Sequence, residues 1–321
     1  GQKLTLTHTA CFVNQAVNAV IPNNEEFNSL YVFYLLKHNL NLVKSADTGA
    51  SSGRENVSKS NFSKLQVLAT LDIKEQERIA CILDGYDSLI ENNQRRIALL
   101  EESARLLYRE WFVNLRFRGF ESVPLTLGVP EGWCKTSIAE QTTFLNRGIT
   151  PAYNDSAPGL VINQKCIRQG RLSMSPARRQ SKEVKPERLI QKGDVLINST
   201  GAGTLGRVAQ VRSPVENCTV DTHVTIARPI GKEWATYFGQ ALISLEPTLS
   251  GMGKGATNQL ELSRNDIGAI EIWHPPVAVA HDFHELVWPM LEHAEILLTA
   301  NQKLVEARDE LLPKLMSGEI Q

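Results

Sequence analysis

Two long segments of the sequence carry apolar residues at steps that alternate between four and three. The first segment covers about residues 73–112 and the second about residues 277–316. This spacing is the period of a coiled-coil seam, whose apolar stripe needs a facing helix to cover it. We therefore predict two long helices of matched length that pair antiparallel, with a globular segment between them in sequence. The central seam positions are Ile90, Asn93, Ile97, Leu100, Leu297, Asn301, Leu304 and Leu311.

Polar and helix-breaking residues interrupt both stripes. Each seam carries one asparagine, Asn93 or Asn301, and a buried asparagine costs stability but fixes the register and the partner of a helix. Proline lacks a backbone N–H group, so we expect Pro289 to kink the second helix or to mark a restart. We expect Pro313 to disturb the last turn of the same helix.

The rest of the sequence consists mainly of short strand-like runs separated by turn residues. Residues 159–163, 194–198 and 207–211 are three such runs, and a helix is predicted near residues 234–244. The predicted fold class is therefore α+β, with β-rich globular domains joined by two long antiparallel coiled-coil helices.

The composition of the 321 residues excludes several classes of protein. Lys and Arg number 34 against 35 Asp and Glu, which argues against a generally basic nucleic-acid coat protein but does not exclude a local basic face. No apolar run approaches 18 residues, and we expect no membrane span. The five cysteines lie far apart without a CxxC pair, which disfavours zinc and indicates reduced thiols. Without a signal-peptide core at the N-terminus, we expect a cytoplasmic protein.

An internal repeat precedes the two long helices. Cys11 and Pro22 in the first copy match Cys218 and Pro229 in the second, each pair being 207 residues apart. An aromatic helix and a Gly/polar loop follow in both copies. The second copy begins near residue 125, and its first half has no counterpart in the first copy. We therefore expect the first domain to be truncated, not resolved, or completed by another chain.

Four motifs, taken in this order and together with the repeat, identify a family. The motifs are residues 73–79, 130–133, 192–207 and 311–320. This arrangement resembles the DNA-sequence-specificity subunit of type I restriction–modification enzymes, over essentially the whole chain. The resemblance implies a truncated first target-recognition domain and an intact second one. The corresponding segments are residues 1–72, a spacer helix at 73–117, a second recognition domain at 118–276, and a second spacer helix at 277–321.

The same resemblance implies a function without catalysis. Such a subunit would recognise a bipartite DNA sequence, and the helices would act as a ruler between the half-sites. It would position two methyltransferase subunits and restriction/translocase subunits on the DNA. S-adenosylmethionine, ATP and Mg²⁺ would then bind those partners and not this chain. One alternative is a coiled-coil scaffold or decoy that assembles with partner subunits without specific DNA binding.

A second alternative, a DNA-modifying enzyme, depends on the glycine-rich loop at residues 201–206. This loop matches a dinucleotide-binding GxGxxG pattern, and Asp221 lies 20 residues after Gly201. Such a site needs a helix after the loop, whereas residues 207–211 read as a strand. A turn between strands, or a loop that approaches DNA, therefore fits the pattern better. No other motif that we recognise predicts a catalytic residue or a metal site.

Residues 165–192 carry the strongest charge signal of the chain. Nine cations stand against Glu183 and Glu187 in this segment, which favours phosphate contact over a solvated face. Arg178 or Arg179 could also read guanine O6 and N7. The amides near residues 254–259 suit adenine in the same way. The candidate DNA-binding residues are Gln164, Lys165, Arg168, Arg171, Arg178, Arg179, Ser199, Thr200, Thr204, Arg207, Lys254, Thr257, Asn258, Gln259, Ser52, Arg54 and Asn56.

Overall fold

The computed structural model describes residues 4–14, 17–46, 57–253 and 260–320. The chain divides into two compact units, one formed by Gly1–Arg96 with Leu297–Gln321 and the other by Ile97–Ile296. The helices are α1 (Ser29–His38), α2 (Leu40–Ser45), α3 (Lys59–Phe62), α4 (Ile73–Tyr108), α5 (Lys232–Ser244), α6 (Glu246–Gly251), α7 (Arg264–Gly268) and α8 (Val277–Met316).

The strands are short, and all of those in the described ranges belong to the second unit. They are β1 (Leu125–Thr126), β2 (Val129–Pro130), β3 (Cys134–Ser137), β4 (Thr142–Arg147), β5 (Gly159–Ile162), β6 (Ile167–Arg168), β7 (Arg171–Leu172), β8 (Arg178–Gln180), β9 (Val195–Asn198), β10 (Val208–Gln210), β11 (Cys218–Val220), β12 (Val224–Pro229) and β13 (Glu271–His274).

The two long helices, and with them the predicted α+β fold class, are confirmed. Helix α8 has the predicted bounds, and α4 starts at Ile73 and continues into a π-helical turn over Arg109–Val113. The predicted restart at Pro289 is wrong, because α8 runs through Pro289 without a break. The proline ring is exposed, while Val287 and Leu291 on either side of it are buried. Packing of this buried stripe stabilises the helix more than the missing hydrogen bond weakens it.

In the first unit, α1 packs against the start of α4 and the end of α8. Its core contains Tyr31, Tyr34 and Leu35 of α1, Ile79, Ala80 and Leu83 of α4, and Leu312 and Leu315 of α8. The start of one long helix therefore meets the end of the other, which is the predicted antiparallel arrangement.

The two seam asparagines contact each other within this unit. Asn93 Nδ2 donates to Asn301 Oδ1 at 2.9 Å, and Asn301 Nδ2 donates to the carbonyl oxygen of Ile90 at 3.2 Å. Both side chains are buried. The other predicted seam residues are buried at Ile90, Ile97 and Leu297 and half-buried at Leu100, Leu304 and Leu311.

A single substitution in this asparagine pair is expected to cost more stability than a double one. Asn93→Leu leaves the amide of Asn301 without its donor, and a buried unpaired polar group costs about 1–3 kcal/mol. Replacing both asparagines by leucine removes that penalty, so we expect the double variant to approach or exceed wild-type stability. Thermal unfolding followed by circular dichroism tests this, and equal destabilisation by the single and double changes would contradict it.

The first copy of the repeat differs from the second at the matched segment. In the second unit, the segment from Cys218 to Pro229 forms β11, which pairs with β5, and β12, which lies between β9 and β4. Both strands are largely buried. In the first unit, the described residues between 4 and 28 contain neither helix nor strand, and the side chains of Phe12 and Ile21 are exposed. The strands that flank β11 and β12 come from the half of the second copy that has no counterpart in the first.

Among the described residues, the second unit contains a four-stranded sheet, a three-stranded sheet and three two-stranded sheets. The first has the order β10-β9-β12-β4 with antiparallel neighbours, and the second has the order β11-β5-β8, in which β11 and β5 are parallel. The predicted strands at residues 159–163, 194–198 and 207–211 correspond to β5, β9 and β10, and the predicted helix near 234–244 corresponds to α5.

An aromatic core joins both long helices to the sheets of this unit. The ring of Phe112 lies 4.5 Å from that of Tyr237, 4.8 Å from that of Phe283 on α8, and 5.8 Å from that of Trp133. The π-helical turn buries the consecutive residues Trp111 and Phe112 in this core. Within the described ranges, none of the helices is long and apolar enough to cross a membrane.

Candidate functional site

The basic segment at residues 165–192 folds as a surface hairpin and an edge strand. Strands β6 and β7 pair with each other, and β8 pairs with β5 at the edge of the three-stranded sheet. The side chain of Asn163 accepts a hydrogen bond from the backbone of Lys165 and donates one to Pro176, which fixes the start of the segment. Short paired strands therefore carry four of the nine cations, Arg168, Arg171, Arg178 and Arg179.

Five of the nine cations have protein partners. Arg171 pairs with Glu101, Lys192 with Glu292, and Arg188 donates to the carbonyl oxygens of Arg147 and Gly148. Arg179 and Lys182 donate to the carbonyl oxygens of Ala157 and Thr150. The predicted DNA contact by Arg171 is therefore not supported, because its guanidinium forms two hydrogen bonds with one carboxylate.

The other four cations are exposed and have no ionic or hydrogen-bonding side-chain partner among the described residues. We call them the unpaired cations, and they are Lys165, Arg168, Arg178 and Lys185. The guanidinium carbon of Arg178 lies 3.6 Å from the ring centroid of Tyr153, a half-exposed residue that the sequence did not single out. These four charges can accept a negatively charged ligand without first breaking an ion pair.

The glycine-rich loop at residues 201–206 connects two strands. It follows β9 and precedes β10, which pairs antiparallel with β9. Gly206 has a φ of +77°, and a Cβ atom there would lie 2.4 Å from the backbone nitrogen of Ser250. The dinucleotide alternative is wrong for this loop, because a strand follows it where a pyrophosphate site needs a helix N-terminus.

Thr200 connects the glycine-rich loop to the start of the basic segment. Gln164 Nε2 lies 2.8 Å from Thr200 Oγ1, and His223 Nδ1 lies 2.7 Å from the same oxygen. Thr204 donates to backbone oxygens of the loop, and Arg207 donates to the carbonyl oxygen of Gly203 at 2.8 Å. Gln164, Thr200, Thr204 and Arg207 thus lie together, and His223 joins them without having been predicted.

Ser199 requires a correction. Its side chain is fully buried, and its hydroxyl group contacts that of Thr225 on the neighbouring strand β12. The structure does not support the predicted DNA contact by this hydroxyl, because Ser199 directly follows the buried strand β9 and is itself buried. The remaining seven candidates lie outside the described residues. They are Ser52, Arg54, Asn56, Lys254, Thr257, Asn258 and Gln259.

Glu261 and Leu262 lie beside this polar group. Glu261 forms a backbone bridge with Thr200, and the backbone nitrogen of Leu262 donates to Ser199 at 2.9 Å. The carboxylate of Glu261 also pairs with Arg147 at 2.6 Å. Glu261 and Leu262 therefore lie next to Ser199 and Thr200, where the glycine-rich loop begins.

A buried charge network contacts the hairpin of β6 and β7 through Arg171. Arg212, whose side chain is only 3% exposed, lies 2.8 Å from a carboxylate oxygen of Glu101 on α4 and 3.6 Å from one of Glu295 on α8. Glu101 also binds Arg171. Burial alone would raise the pKa of Glu101, but hydrogen bonds from Arg171 and Arg212 hold it below its ordinary value.

Comparisons with known proteins agree with the motifs of the sequence. A family model described as a type I restriction modification DNA specificity domain matches residues 4–102. The type I restriction enzyme MjaIX specificity subunit of Methanocaldococcus jannaschii is 25% identical and aligns over 96% of this chain and 72% of that protein. The putative MjaX specificity subunit of the same organism is 21% identical, over 93% and 70%.

A solved structure supports the fold. The crystal structure of the S subunit of a type I restriction–modification system from M. genitalium superposes with a TM-score of 0.61 at 17% sequence identity. The match covers 91% of this chain and 73% of that one. The two chains therefore share an architecture of helices and small sheets.

Proposed function

We propose that the chain is a specificity subunit of a type I restriction–modification enzyme, which recognises a bipartite DNA sequence and positions partner subunits on it. A specificity subunit recognises its target and does not catalyse the reaction. The proposed partners are double-stranded DNA, two methyltransferase subunits and restriction/translocase subunits. In this proposal S-adenosylmethionine, ATP and Mg²⁺ bind those partners, and the complex works in the cytoplasm.

The observation that carries the proposal is the surface of unpaired cations on the second copy. Lys165, Arg168, Arg178 and Lys185 are exposed, while the other cations of the segment are held by protein groups. Contacts with phosphates supply much of the affinity of a protein for DNA, and they need cations that are free to approach the backbone. Because the net charge of the chain is −1, electrostatic attraction to DNA has to come from local surfaces such as this one.

The polar group around Thr200 supplies a second kind of contact in this proposal. Gln164, Thr204 and Arg207 surround the glycine-rich loop next to Lys165, so amide and hydroxyl groups lie beside a charged one. Charged groups set the position of a protein on DNA, and groups that reach base edges determine sequence preference. We assign positioning mainly to the cations and propose that base reading includes the loop.

The bipartite part of the proposal is supported by the repeat. Each copy joins a globular segment to one of the helices α4 and α8, and both copies contain an aromatic helix at the matched place, α1 or α5. We propose the four-segment division predicted from the sequence, in which each copy reads one half-site and the helices set the unread gap. Ser52, Arg54 and Asn56 remain the candidate contacts of the first copy.

Selection from a randomised DNA pool tests the function directly. The purified chain is incubated with duplexes of randomised sequence, and the bound fraction is sequenced. Two half-sites at a fixed gap are expected. A single half-site would refute bipartite reading by this chain, and absence of any motif would favour the scaffold alternative. Co-purification with a methyltransferase subunit tests the proposed assembly separately.

The salt dependence of binding should identify phosphate contacts. Each neutralised phosphate contributes about 0.9 to the slope of log K against log salt concentration. The double substitution of Lys165 and Arg168 by alanine is therefore expected to reduce that slope by up to about 1.8 and to weaken all sequences alike. Lys192→Ala is the matched control, because Lys192 belongs to the same segment but is paired with Glu292. An unchanged slope in the double variant would remove these two residues from the interface.

A further inference from the structure

Arg178 differs from the other unpaired cations because an aromatic ring holds its guanidinium group. The guanidinium carbon lies 3.6 Å from the centroid of the Tyr153 ring, which is the distance of direct stacking. Neither Lys165, Arg168 nor Lys185 has such a contact within the described residues. The stack is on the surface, since both Tyr153 and Arg178 are exposed.

Ordered backbone holds both members of this stack. Tyr153 forms a backbone bridge with Gln180 of β8, the strand that also carries Arg178. Backbone nitrogens on either side reinforce the pairing, from Asn154 to Arg179 at 3.2 Å and from Ser181 to Ala152 at 2.8 Å. The ring and the guanidinium are therefore attached to two backbone segments that are bonded to each other.

This contact restricts the orientation of the guanidinium group. Its carbon lies 3.6 Å from the centroid of the Tyr153 ring, and its N–H groups have no acceptor among the described residues. A phosphate contact needs a cation near the DNA backbone and does not need a fixed plane, as lysine contacts demonstrate. A planar fork of N–H donors matches the two acceptors on the major-groove edge of guanine.

We infer that Arg178 reads the O6 and N7 atoms of a guanine and that Tyr153 is the positioning residue that orients it. The inference rests on the proposed function and assigns one base position of the second half-site to this pair. Tyr153 acts through Arg178, since the ring holds the guanidinium in the plane needed for two parallel hydrogen bonds. Arg179, the other candidate for a guanine contact, has one nitrogen bound to the Ala157 carbonyl oxygen.

The test compares variants of the full chain in the same selection from a pool of randomised duplexes. Arg178→Ala is expected to lower the preference for guanine at one position by about 5- to 150-fold and to leave the other positions unchanged. Tyr153→Ala should lower it by about 2- to 5-fold, the contribution of an exposed cation–π contact. Tyr153→Phe keeps the ring and should restore the preference, and Arg178→Lys, which keeps the charge, should not.

Arg168→Ala is the matched control, because Arg168 is an exposed unpaired cation of the same segment without an aromatic neighbour. It should weaken all sequences alike. Circular dichroism of each variant establishes that the fold is retained. Uniform weakening by Arg178→Ala would overturn the guanine contact, and a wild-type preference in Tyr153→Ala would overturn the positioning role. If the wild-type chain selects no motif, the proposed function itself fails.

Discussion

Replacing Glu101 by alanine is expected to destabilise the unit of residues 97–296 by about 3–5 kcal/mol, the typical effect of breaking a buried ion pair from one side. Glu101 binds both Arg171 and Arg212, and Arg212 is almost completely buried. Without Glu101, the ion pair that the described residues leave to Arg212 is the longer one with Glu295, at 3.6 Å. The Nε atom of Arg212 has no hydrogen-bond partner among the described residues, so it does not offset the loss of Glu101.

Urea unfolding followed by tryptophan fluorescence measures this effect in the relevant unit. All five tryptophans, at positions 111, 133, 234, 273 and 288, belong to residues 97–296. Glu102→Ala is the matched control, because Glu102 is the next residue on α4 but forms only an exposed ion pair with Arg105. Its urea midpoint should equal that of the wild type. Equal midpoints for the two variants would contradict a stabilising role for the Glu101 network.

The same network predicts that the stability of this unit depends on pH. The pKa of Glu101 is lower in the folded chain than its ordinary value, since the two arginines outweigh the effect of burial. Its ion pairs therefore stabilise the fold fully above the ordinary glutamate pKa of about 4.3, and this contribution is lost as the pH falls through the folded value. Glu101→Gln should flatten this part of the acid unfolding profile.

Replacing Phe112 by alanine is expected to destabilise the same unit by about 3–5 kcal/mol. The Phe112 ring is 1% exposed and touches the rings of Tyr237, Phe283 and Trp133, so the substitution leaves a cavity in the aromatic core. The neighbouring Val113 is 60% exposed and serves as the control, with an expected change within about 0.5 kcal/mol for Val113→Ala. Similar urea midpoints for the two variants would mean that the core rearranges to fill the cavity.

The long helices could be predicted from the sequence because their signal is local and repeated. Alternating steps of four and three specify which face of a helix is buried, and the match at Asn93 and Asn301 fixes the register of the pair. The continuity of α8 through Pro289 could not be predicted in the same way. It depends on the partners that bury Val287 and Leu291, and those partners lie far away in the sequence.

The candidate site was predictable as a charged segment but not as a set of contacts. Arg171 and Arg178 look equivalent in the sequence, since both are arginines in one basic run. Glu101, which binds Arg171, is 70 residues away, and Tyr153, which stacks on Arg178, precedes it by 25 residues. No spacing rule connects such pairs, because Arg171 on β7 meets Glu101 on α4, and Tyr153 meets Arg178 through a backbone bridge to β8. Ser199 is likewise buried because β9 pairs with β12, a strand that is distant in the sequence.

The unequal copies of the repeat also differ in thiol chemistry. Cys11 and Cys218 hold the same position in the two copies, but Cys11 is exposed whereas Cys218 is buried, and burial raises the pKa of Cys218 to about 12. A thiol of such high pKa is scarcely ionised at neutral pH, and only the thiolate reacts readily with oxidants or alkylating reagents. Cys166 is buried as well, while Cys81 and Cys134 are exposed. Cross-links that form between molecules in air should therefore pass through Cys11, Cys81 and Cys134, and purification under reducing conditions would protect these three thiols.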